Sequence, residues 1–198
     1  MAMKSNLLIS IILTIFLTGC GQGFDVASLE KSVSDANVEL TEIEKTTLSD
    51  IDSIEQEIAE LEAIDFSEYD SPNVSLSQLK SLKKSLGSKL DGITESIEKL
   101  KKKITELRSK INDYIAILEP NDPNQQQIIE RLKELLVKLD TIEAILDQVI
   151  DFLKNKLDII DQIFDRLMAQ LDPSNPMHML IRLVIEAIRE MVKAKLGI

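Results

Sequence analysis

The chain has no tryptophan, and among 198 residues it has one cysteine, one histidine, five prolines and six glycines. Each scarcity excludes something. With aromatics at 4%, leucine and isoleucine must fill the core, which suits helix-on-helix packing better than a β-sandwich or an α/β fold. Few prolines and glycines mean few turns and long elements. A single cysteine forbids an intramolecular disulfide. A single histidine, His178, excludes a histidine-clustered zinc site, a bis-histidine haem and the paired Glu-x-x-His motifs of di-iron bundles. No G-x-S-x-G elbow and no P-loop is present, and Asp65, Glu68 and Asp70 lack EF-hand spacing. The sequence therefore reads as a non-enzyme. Positive charge is in deficit as well, with a net charge of −11. That balance argues against nucleic acid as a partner and against adhesion to anionic lipid by charge.

What is present begins with a leader. Residues 1–5 carry Lys4, residues 7–17 are apolar apart from Ser10 and Thr14, and Leu17-Thr18-Gly19-Cys20 follows. A basic start, an apolar stretch of this length and small residues at its end make a secretory signal, and the stretch is too short to span a bilayer. Leu17-Thr18-Gly19-Cys20 resembles the lipobox of bacterial lipoproteins. The resemblance covers residues 1–20 and no named family is recognised beyond them. It implies cleavage before Cys20, with a diacylglycerol on its thiol and an N-acyl chain on its freed amino group as the sole attached groups. Several acyl chains hold a protein to a membrane far better than one. With Gly21 rather than aspartate after the cysteine, the resemblance implies the outer membrane in a diderm host, and otherwise the outer face of the cell membrane. The expected organisation is a cleaved signal peptide over 1–19, the lipidated cysteine and a tether over 20–27, and a helical domain over 28–198. Removing Lys4 with the leader leaves 22 basic and 34 acidic residues, a net charge of −12.

Hydrophobic spacing after the tether is helical throughout. A first helix is expected from about residue 26 to 64, with Leu29, Val33, Ala36, Leu40, Ile43, Leu48, Ile51, Ile54, Ile58 and Leu61 along one stripe. The five-residue step from Ile43 to Leu48 is a slip in phase near Thr46 and Thr47. Pro72 and Asn73 predict a loop over 65–74, and Ser75 an N-cap for a second helix reaching Leu118. From Leu86 to Leu118 the apolar residues step by four and three, a coiled-coil pattern that runs straight through Gly87 and Gly92. Asp122 and Pro123 predict the start of a third helix, ending near Leu171. Beside its main stripe lies a second one of Ile129, Leu136, Ile145, Phe152, Ile159 and Ile163, so this helix should touch two neighbours. Pro173 and Pro176 repeat the stop and restart before a short fourth helix over 176–196. Its charges, Arg182, Glu186, Arg189 and Glu190, argue against a membrane span. The expected fold is all-α: an antiparallel bundle of three long coiled-coil-like helices, with a short C-terminal helix over the end away from Cys20.

Charge is segregated along the chain. Residues 25–70 hold fifteen acidic and two basic side chains, and residues 75–119 hold ten basic and six acidic. Antiparallel packing should set Glu57 and Glu60 near Lys83 and Lys80, Glu39 near Lys101–Lys103, and Glu30 near Lys110. Such pairs favour register more than stability. An acidic face should remain on the first helix, so Glu39, Glu42, Asp52 and Glu55 are candidates for a partner surface, unless the face merely resists aggregation. Met177-His178-Met179 offers thioether and imidazole donors that suit Cu(I). The same residues also suit an irregular core, and Met177 and Met179 an adaptable partner surface.

These features read best as a lipid-anchored cell-envelope protein acting as a structural or protein-interaction module. Its partners would be the membrane, through the anchor, and an envelope or extracellular protein, or a second copy of itself. The alternatives are a membrane-active helical protein, resembling α-helical pore formers, and a carrier of an apolar ligand.

Overall fold

A computed structural model describes residues 25–63 and 71–196. The elements are α1 (Val26–Glu62), α2 (Ser71–Ile117), α3 (Pro123–Ala169) and α4 (Pro176–Leu196). The described fold is all-α. At 1.5 Å per residue α2 and α3 are each about 70 Å long, α1 about 55 Å and α4 about 30 Å. No helix among the described residues is long and apolar enough to cross a membrane.

The ends follow from local chemistry. Asp25 caps α1, accepting the Ser28 N–H at 2.9 Å, so the helix begins two residues inside the expected tether. At α3 the Asp122 carboxylate accepts the Asn124 N–H at 2.9 Å, Pro123 fills the first helical position, and Gln125 accepts the Glu119 N–H at 2.6 Å. At α4 the Asn175 side chain accepts the Met177 N–H at 2.9 Å. The start of α2 differs from expectation. The helix begins at Ser71, before Pro72 and Asn73. Proline at the first turn of a helix lacks only an N–H that would have had no intrahelical partner, so Pro72 permits a start there as readily as it forbids a continuation.

One apolar core runs the length of the molecule. It takes Leu29, Val33, Leu40, Ile51, Ile54 and Ile58 from α1, Leu79, Leu86, Leu90, Ile97 and Ile104 from α2, Leu132, Leu139, Leu146, Leu153, Ile160 and Phe164 from α3, and Ile181, Ile185 and Ile188 from α4. The phase slip in α1 is resolved by an unexpected residue. Thr47 turns inward and is buried, while Leu48 is 51% exposed. Steps of four from Ile43 to Thr47 and from Thr47 to Ile51 keep the stripe continuous, at the expense of burying a hydroxyl.

Chain directions are legible in the pairings. Lys103 with Glu39, and Lys89 with Ser53 and Glu57, set α2 antiparallel to α1. Arg131 with Glu30, Lys156 with Glu55, and Arg166 with Glu62 set α3 parallel to α1. Arg108 with Asp140 and Glu143 joins α2 to α3. Helix α4 runs antiparallel to α3 and parallel to α2, with Met191 against Gly87 and Lys195 paired with Asp91. It packs mainly on α2 and does not touch α1. The half of the rod near Val26 is thus a three-helix bundle, and α4 thickens the other half. Both α2 and α3 touch all three other helices, so the central position expected of the third helix is shared with the second.

Candidate functional site

Three places were candidates from the sequence. The first, Cys20, lies outside the described residues, as do Asp65, Glu68 and Asp70.

The second is the acidic flank of α1. Its four candidate residues do not form one face. Glu39 accepts a bond from Lys103 of α2 at 2.6 Å, and Glu55 one from Lys156 of α3 at 2.7 Å. Both are engaged by lysines of neighbouring helices while remaining partly exposed. Glu42 and Asp52 stay exposed, ten residues apart, or about 15 Å along the helix. Glu30, Glu57 and Glu62 are engaged as well, by Arg131, Lys89 and Arg166. The expected register holds for Glu39 alone. Glu57 takes Lys89 rather than Lys83, and Glu30 takes an arginine of α3 rather than Lys110. Glu30 does so because α3 also borders α1 and supplies cations that a two-helix hairpin lacks, whereas Glu57 stays within the hairpin and meets a lysine six residues farther along α2. Above Glu42 and Glu39 a shallow cleft of about 320 Å³ opens between α1 and α2, over Val38, Ile43 and Gly92.

The third is Met177-His178-Met179. Successive helical residues point about 100° apart, and these three separate accordingly: Met177 is half-buried, His178 buried and Met179 exposed. His178 Nδ1 accepts the Asp172 backbone N–H at 3.0 Å, which ties the turn before α4 to its first residues. The three side chains therefore leave the first turn of α4 in different directions.

Two features were missed by sequence reasoning. The first is how α4 is held. Arg182 donates to the Met168 and Leu171 carbonyls at 2.8 and 2.9 Å, satisfying acceptors at the end of α3 and placing a cation at its negative pole. Arg189, with a side chain 12% exposed, pairs with Asp161 and Asp165 of α3 and with Glu186. Burial of this guanidinium opposes its charge, but Asp165, Asp161 and Glu186 outweigh it and hold the pKa above the usual arginine value. In the sequence Arg182 and Arg189 argue only against a membrane span. Their spacing of seven residues, one face of a helix, was the available signal.

The second is a basic surface on an acidic protein. Lys80, Lys83 and Lys84 lie on the α4 side of α2, away from Glu57 and Glu60, and make no ion pair among the described residues. With Gly87, Met191 and Lys195 they line an open groove along the α2/α4 junction, about 590 Å³ in volume. Gly87 lets α4 approach closely: a Cβ there would lie 3.0 Å from the Met191 sulfur. Its placement off the main stripe hid this role. Leu180 and Leu183 on α4 are exposed as well, Leu183 by 64%.

No family model, no curated protein and no solved structure matches the chain.

Proposed function

We propose that the chain is a lipid-anchored cell-envelope protein whose helical rod acts as a structural or protein-interaction module. The observation that carries this reading is Leu17-Thr18-Gly19-Cys20 at the end of an apolar run, with Cys20 the sole thiol of the sequence. Helix α1 begins at Val26, six residues after the cysteine, so an acylated Cys20 would hold one end of a rod about 70 Å long close to the bilayer. The half that carries α4 would then stand away from the membrane, where its surface meets other proteins rather than lipid.

Labelled palmitate tests the reading in cells that process lipoproteins. The wild-type chain is expected to incorporate label and to fractionate with membranes, and Cys20→Ser to do neither. An unlabelled wild-type chain, or label retained after Cys20→Ser, would overturn it.

A further inference from the structure

We propose that the groove between α2 and α4 docks an acidic amphipathic helix of a partner protein. The inference does not depend on acylation of Cys20. It rests on a basic stripe set beside an apolar one. On α2, Lys80, Lys84 and Ser88 recur at helical spacing on the outward side of the junction, with Lys83 half-buried beside them. On α4, Leu180, Leu183, Ala187 and Met191 recur in the same way. Because the two helices run parallel, the stripes run side by side, each spanning twelve residues, Lys80 to Asp91 and Leu180 to Met191, or about 16 Å, offset by about one turn because Met191 lies at Gly87. The ion pair between Lys195 and Asp91 closes one end.

Charge complementarity selects the occupant. The molecule is strongly acidic, and most of the cations that face a neighbouring helix are matched to a carboxylate of it, as Lys89, Lys103, Arg131, Lys156, Arg166 and Arg189 are. Lys80, Lys83 and Lys84 cluster instead along the groove, and α4 exposes Leu180 and Leu183 to solvent. A helix about three turns long, with leucines on one face and glutamates along one edge, would cover Leu180, Leu183 and Met191 and place its carboxylates at the lysines. Such a helix fits because the groove between two packed helices accepts the ridge of a third.

The test uses the purified chain and a fluorescein-labelled helical peptide of about 14 residues, four turns, carrying that leucine and glutamate pattern. A second peptide has lysine at each glutamate position. By fluorescence anisotropy the acidic peptide is expected to bind at least about tenfold tighter than the basic one. Lys80→Glu combined with Lys84→Glu, and separately Leu183→Glu, should each weaken it by about tenfold or more. Lys110→Glu, near the opposite end of α2, should leave it unchanged. All these side chains are exposed; if the double reversal loses its helical circular dichroism, Lys84→Glu alone serves. Equal binding of the two peptides, no binding, or indifference to the groove substitutions would overturn the proposal. So would lysine-dependent binding to phosphatidylglycerol vesicles in the absence of peptide binding, or a dimer in sedimentation velocity that Leu183→Glu dissolves. Those results would assign the groove to a membrane or to a second copy.

Discussion

Thr47 is a polar group in an otherwise apolar stripe. Its hydroxyl is buried and has no hydrogen-bond partner among the described residues, whereas Thr41, Thr94, Thr105 and Thr141 each bond the carbonyl four residues back. A buried unmade bond costs more than the hydroxyl contributes. Thr47→Val keeps the shape and removes the orphan, so it is expected to raise unfolding free energy by about 1 kcal/mol in urea titration. The two glycines of α2 make a paired case. Nothing stands within 4 Å of a Cβ at Gly92, so Gly92→Ala should stabilise by roughly 0.5–1 kcal/mol through backbone entropy alone. At Gly87 the Met191 sulfur occupies the space, and Gly87→Val is expected to destabilise by about 1–3 kcal/mol as α4 is pushed off its seat. Equal effects at the two sites would show that the close approach does not matter.

At the scale of elements, α4 is the least enclosed helix, and two arginines fasten it to α3. Arg189→Met removes the bonds to Asp161 and Asp165 and leaves both acids facing water, so the loss should be about 1–3 kcal/mol rather than that of a stranded buried charge. Its pH dependence has a definite sign. A guanidinium whose folded pKa is raised contributes stability that is complete below the unfolded pKa and fades only as pH rises through the folded one. Both lie beyond the accessible alkaline range. The gap in melting temperature between wild type and Arg189→Met should therefore stay constant from about pH 7 to about pH 10. A gap that narrows across that window would mean that a different group carries the pairing.

For the whole molecule, shape is the measurable consequence. A compact chain of this length would have a radius of gyration of about 16 Å. A bundle about 70 Å long raises this to about 21 Å, which small-angle scattering distinguishes. A value near the compact figure would mean that the helices fold back on themselves. An elongated molecule can place a binding surface far from an attachment point, and the α2/α4 groove lies in the half remote from Val26.

Sequence alone determined the all-α class, the continuity of α2 through Gly87 and Gly92, the caps at Asp122 and Pro123, and nearly every core residue. These follow from periodicity and from end-capping, which act within a few residues of chain. It also supplied Leu17-Thr18-Gly19-Cys20, the consecutive residues on which the proposed acylation rests. Tertiary structure decided which faces meet. The inward turn of Thr47, the engagement of Glu39 and Glu55, and the exposure of Lys80, Lys83 and Lys84 all depend on where α2, α3 and α4 dock. A stripe of leucines states that a helix has a neighbour but not which one. The rotation of each helix about its axis is set by packing among all four, and that sum is not local to any stretch of sequence.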